Sequence, residues 1–90
     1  MTGLTEFSLS RHALEEMERR QIPRAFVENV LANPEQVIPV HGGKVAYQSR
    51  IDFGEGKIFL LRVIVNESVH PAVVVTVYRT SKIEKYWRLS

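Results

Sequence analysis

In the first third of the chain, apolar positions recur at helical intervals. Ala13, Leu14 and Met17 form a stripe behind Ser10, whose short polar side chain suits a helix N-cap. The pattern predicts a helix from Ser10 to about Arg20. Phe26, Val27, Val30 and Leu31 repeat the spacing. They predict a second helix starting at Pro23, because a first helical position tolerates the missing N–H. Asn33-Pro34 should end it, since the residue before proline avoids the α region. From Gln36 the period falls to two. Val37, Ile38 and Val40 predict a short strand that Pro39 confines to a sheet edge. His41-Gly42-Gly43 reads as a turn, Val45 to Phe53 as a strand, and Gly54-Glu55-Gly56 as a hairpin loop. Lys57 to Val65 reads as the next strand and Asn66 to Pro71 as a loop. Ala72 to Tyr78, the most β-branched segment, is predicted to be the central strand. Ser81 is placed to cap a final short helical turn carrying Ile83, Tyr86 and Trp87.

These elements predict one α+β domain over residues 1–90. Two N-terminal helices pack on one face of a roughly four-stranded antiparallel sheet, with a short C-terminal helical turn. Alternation also assigns the faces. Phe59, Leu61 and Val63, with Val73, Val75 and Val77, make wholly apolar sets that should lie under the helices. Arg62, Thr76 and Tyr78 are left on the opposite face. A cation, a hydroxyl and a phenol there form either a small polar site or ordinary cross-strand packing beside a solvated arginine.

Composition narrows the setting. Ninety residues make one domain, and no repeat or linker divides them. The chain has no cysteine. A disulfide scaffold and a thiolate metal site are therefore excluded, and a reducing, cytoplasmic setting is expected. Met1 to Phe7 lacks the basic start and apolar run of a secretory signal. Apolar runs such as Ala72 to Val75 are too short to cross a bilayer, so no membrane association is expected. The formal net charge is only +2, but its placement is uneven. Glu15, Glu16, Glu18 and Glu28 lie in the predicted helices. Arg79, Lys82, Lys85 and Arg88 crowd the end against Glu84 alone. With Tyr86 and Trp87 interleaved, this end is either a surface for single-stranded RNA or a solvated tail whose Trp87 docks into the core. His12, His41 and His70 match no ligand spacing, and the two glycine turns lack the setting of a phosphate loop. No metal and no cofactor is expected.

The segments His12-Ala13-Leu14-Glu15-Glu16-Met17-Glu18-Arg19-Arg20-Gln21-Ile22 and Val75-Thr76-Val77-Tyr78 resemble the hallmarks of a small bacterial family, domain-of-unknown-function family 4258. The resemblance covers nearly the whole chain. That family is similar in topology to the RelE/ParE and BrnT toxins. The resemblance thus implies helices on one sheet face and ribonuclease activity on the other. It also implies RNA, including ribosome-associated RNA, as substrate, and a small antitoxin-like protein as partner; a homodimer is a further expectation. His12, Ala13, Met17, Arg20 and Ile22 match the family pattern. Glu16 replaces an arginine common four residues after the histidine, and Gln21 replaces the usual glycine before the isoleucine. Either Arg19 and Arg20 supply the missing charge or this member is non-catalytic.

Metal-independent RNA cleavage uses the ribose 2′-OH as nucleophile and needs a proton carrier and a fixed cation. His12 suits the first task because imidazole titrates near neutrality. Arg62 suits the second through its rigid, permanently charged fork. Tyr78 would orient a phosphate or stack on a base. Arg19, Arg20, Thr76, Arg79, Lys82 and Lys85 complete the expected RNA-binding set. Two other readings are a non-catalytic interaction domain, whose edge strand adds to a partner's sheet, and a DNA-facing regulator.

Overall fold

A computed structural model describes residues 3–89. Ser90 lies outside the described residues, as do Met1 and Thr2, the start of the segment read against a secretory signal. Strand β1 (Phe7–Leu9) leads into helix α1 (Arg11–Arg19), and α2 is Arg24–Ala32. Ser10 caps α1 as expected: its Oγ accepts the Ala13 N–H at 3.0 Å. Beyond the helix, Gln21 adopts φ 55°, and the Ile22 N–H closes back onto the Met17 carbonyl at 2.8 Å. A left-handed residue at a helix end favours glycine, and a glutamine holds this position here. Pro23, expected as the first helical residue, is instead the N-cap of α2, one position before its first residue Arg24.

The rest of the sheet is β2 (Gln36–Val40), β3 (Lys44–Asp52), β4 (Ile58–Asn66) and β5 (Ala72–Thr80), in the order β1-β5-β4-β3-β2. Two expectations need correction. The sheet has five strands rather than four, because β1 adds to β5 in parallel, from Phe7 opposite Ala72 to Leu9 opposite Val74. Three residues are too few for alternation to reveal. The central strand is β4, buried from Leu60 to Val65 on both faces, while β5 stands beside it. Pro39 does mark an edge, since β2 is the last strand.

The helices cover one face. Ala13, Met17, Val27, Val30 and Leu31 pack with Tyr47, Leu61, Val63, Val65 and Val77 in a single apolar cluster. Fully burying one such aliphatic side chain contributes roughly 1.5–3 kcal/mol. Leu61, Val63 and Val77 were expected there, but Val73 and Val75 were not correctly placed. Ile64 pairs with Thr76, whereas the next residue, Val65, pairs with Val74. Val75 is therefore an extra residue, a β-bulge, and the inward parity of β5 switches across it. Ala72 and Val74 face the helices before the bulge, and Val77 does so after it.

The opposite face is covered too. After β5 the chain turns back through α3 (Ile83–Tyr86). Ser81 does not cap this turn: Lys82 is the N-cap residue, and its N–H donates to Thr80 Oγ1 at 3.0 Å. Among the described residues, no helix is long and apolar enough to cross a membrane.

Candidate functional site

Antiparallel pairing carries one row of polar side chains across four strands. Gln36 lies opposite Gln48, Gln48 opposite Arg62, and Arg62 opposite Tyr78. All four project from the face away from α1 and α2. Their hydrogen bonds run along the row. Arg62 Nε donates to Gln48 Oε1 at 2.8 Å, and an Arg62 Nη donates to the Tyr78 hydroxyl at 2.5 Å. Gln48 Nε2 donates to Gln36 Oε1 at 2.8 Å.

Arg62 is only 6% exposed, yet none of the ion pairs among the described residues includes it. A buried guanidinium normally faces a carboxylate, because desolvating an uncompensated charge is costly. Here its partners are an amide oxygen and a phenol, with aromatic faces around them. Its guanidinium carbon lies 4.5 Å from the Tyr86 ring centre and 5.7 Å from that of Tyr78. The row therefore preserves the full positive charge of Arg62 in a low-dielectric setting, where attraction to an added anion is strengthened.

The C-terminal segment closes over this row. Gln48 Nε2 also donates to the Tyr86 carbonyl at 3.2 Å. Gln36 grips the backbone at Arg88 twice: its Nε2 donates to the carbonyl at 2.6 Å, and its Oε1 accepts the N–H at 3.1 Å. Trp87 lies under Arg50, 4.2 Å from guanidinium carbon to ring centre. Arg50 differs from Arg62 in being paired, through a 2.9 Å contact with Glu35. That contact lowers the Glu35 pKa and raises that of Arg50.

The remaining candidates separate into groups. Arg62 and Tyr78 are brought together, and Thr76 shares their face one row away, opposite Ile64. His12 stands on α1, exposed, one residue before the inward-facing Ala13. Among the described residues it forms no hydrogen bond with Arg62 or Tyr78. Arg19 and Arg20 are both engaged by Glu16, at 2.7 and 2.8 Å. Hydrogen bonds from Arg19, then Arg20, hold the Glu16 carboxyl down to about pKa 2. The glutamate thus occupies both neighbouring cations. Arg79 lies on the helix side, stacked over Phe53 and Phe59 at 4.4 and 4.8 Å. Lys82 and Lys85 are exposed on the C-terminal segment. Among the described residues, no three of His, Cys, Asp and Glu gather as metal ligands would.

Gln36 and Gln48 were not singled out by sequence reasoning. A signal existed: the tight turn between β3 and β4 sets Gln48 opposite Arg62, and parity then puts both on the Tyr78 face.

The model of a domain-of-unknown-function family, DUF4258, matches residues 9–79. Comparison with curated proteins and with solved structures gives no match.

Proposed function

Taking as premise that the chain belongs to the DUF4258 family, we propose that it is an RNA-directed domain of toxin-like endoribonuclease type, with Arg62 and Tyr78 as its phosphate-binding pair. One observation carries this reading: Arg62 is a buried cation whose partners are all neutral. Its charge is left for an anion that brings two or more acceptor oxygens, as a phosphodiester does. Tyr78 adds a hydroxyl for a phosphate oxygen and a ring for a base.

Cleavage would follow the metal-independent route. The 2′-oxygen attacks phosphorus while a base takes its proton. The bond to the 5′-oxygen breaks, and an acid protonates that leaving oxygen, giving a 2′,3′-cyclic phosphate and a 5′-hydroxyl. Arg62 stabilises the negative charge that develops on the non-bridging phosphate oxygens. His12 is the proposed proton carrier; because it stands on α1, across the sheet from Arg62, this role requires the bound RNA to bring the scissile ribose within hydrogen-bond reach of α1.

The test uses purified full-length protein, a fluorescent oligoribonucleotide and excess chelator. Wild type should bind in a salt-dependent manner and cleave. Arg62→Gln should lose both activities. Gln48→Glu, which places a carboxylate against Arg62, should weaken binding. His12→Ala should keep binding and lose roughly 100- to 10,000-fold in cleavage rate. Absence of RNA binding by wild type at low salt would overturn the proposal. A second reading, a non-catalytic domain paired with an antitoxin-like protein or with another copy, is supported by the outer position of β2, which leaves one backbone edge available for an added strand. Its signature would be a stable stoichiometric complex without RNA cleavage.

A further inference from the structure

Two consecutive aromatic residues of the C-terminal segment lie on two arginines of one sheet face. Tyr86 is 4.5 Å from Arg62, and Trp87 is 4.2 Å from Arg50. Stacking on guanidinium planes and aromatic rings is how proteins hold the splayed bases of single-stranded RNA. We propose that residues 83–88 form a displaceable cover, in which Tyr86 and Trp87 occupy the two stacking positions that successive bases of a single-stranded RNA take on Arg62 and Arg50. This rests on the phosphate-binding reading of Arg62 and adds to it the strandedness of the substrate and a built-in competitor.

Three features make the segment a cover rather than core. Helix α3 has four residues, none of them fully buried, and lacks a side-chain N-cap. Isolated helices so short are unstable in water. Among the described residues, the hydrogen bonds that seat the segment on the row are made by two side chains alone, Gln36 and Gln48. The seal is also incomplete. A cavity of about 600 Å³ opens where the cover meets the sheet, lined by Arg50 from β3 and by Ile83, Glu84, Trp87 and Leu89 from the C-terminal segment. The matched family residues end at 79, before the cover begins.

The arrangement also divides labour between the two cations. Glu35 neutralises Arg50 and repels a nearby phosphate, so Arg50 offers chiefly a stacking surface. Arg62, without a carboxylate, offers charge. An incoming strand therefore sets its phosphate at Arg62 as its bases take the places of Tyr86 and Trp87.

The experiment measures affinity of the full chain for a fluorescent oligouridylate. Wild type, Tyr86→Ala/Trp87→Ala, Gln36→Ala and Arg62→Gln are compared. Removing both aromatics should tighten binding about tenfold, because two cation–π contacts no longer compete with the RNA. Gln36→Ala, which loosens the cover without touching an aromatic ring, should tighten it by less. Hydrogen exchange of wild type should show residues 83–88 losing protection when the oligouridylate is added, while β4 keeps its own. Weaker binding by the double variant would overturn the proposal, making the aromatics part of the RNA surface. Unchanged affinity of the double variant, with binding still lost in Arg62→Gln, would overturn the cover and leave the Arg62 site standing. No binding by any variant would overturn the site itself. An oligothymidylate held as tightly as the oligouridylate would overturn the assignment to RNA.

Discussion

Gln48→Leu tests whether the polar row holds the second sheet face together. Gln48 is fully buried and close to leucine in size, so the packing change should cost less than roughly 1.5 kcal/mol. The larger loss is polar. Arg62 Nε gives up its 2.8 Å acceptor and stays buried and charged, at about 1.5–3 kcal/mol. The Tyr86 carbonyl and Gln36 Oε1 each lose a donor. Both sit nearer solvent, and Gln36 Oε1 keeps the Arg88 N–H, so each adds only about 0.5 kcal/mol. The expected total is near 3 kcal/mol. A domain of this size shifts by about 4–8 °C per kcal/mol, so the melting temperature should fall by about 12–24 °C. Urea unfolding of wild type and variant, read at equal m-values, measures the difference. A loss below about 0.5 kcal/mol would show that Arg62 finds another acceptor at no cost. The row would then be incidental to the fold.

Gln21→Gly should stabilise the protein by about 0.5–1 kcal/mol, because relief of a left-handed side chain outweighs the extra freedom of unfolded glycine; an unchanged urea midpoint would refute this. Glu16 titrates at about pH 2 in the folded chain against 4.5 ordinarily, so its stabilisation is complete above pH 4.5 and is lost as the pH falls toward 2. Glu16→Gln should flatten that part of the stability profile, which an acid titration followed by circular dichroism would reveal. Burial, then the hydrogen bond from its hydroxyl to Glu67, raises the Tyr47 phenol to about 12. Its contribution is intact below pH 10 and fades as the pH rises through 12, and Tyr47→Phe should remove this alkaline step from the melting curve.

Local signals carried much of the architecture. The Ser10 cap, the Asn33-Pro34 stop, the edge at Pro39 and the hairpin at Gly54-Glu55-Gly56 each depend on residues adjacent in sequence, so they can be read directly. What escaped depends on distant partners. Nothing in Phe7-Ser8-Leu9 announces a strand until β5 exists to receive it. The bulge at Val75 lies within four consecutive apolar residues, where period-two parity has no polar marker to expose the slip. The pairing of Arg62 with Tyr78 followed from parity, but the burial of Arg62 did not, because that depends on a tail folding back over the face. Trp87 was expected either on an RNA surface or in the core. It is partly buried on Arg50 instead, a position that no periodicity encodes.

The extra residue in β5 has a consequence for how the helical layer is joined to the sheet. Excising Val75 on paper leaves a strand of unbroken alternation, with Ala72, Val74, Val77 and Arg79 inward, so the ladder with β4 does not need it. The Val75 carbonyl is instead the acceptor of the Ser10 hydroxyl at 2.9 Å, beside the bond from the Ser10 N–H to the Val74 carbonyl. Ser10 is the residue that starts α1. The bulge thus works as a dowel: it sets the angle and depth at which the helix enters, independently of the strand register. A chain lacking that one residue would keep its sheet and its inner face, but the Ser10 hydroxyl would lose its acceptor, leaving the start of α1, next to His12, held by the Ser10 N–H bond to Val74 and by the packed Ala13 and Met17 alone.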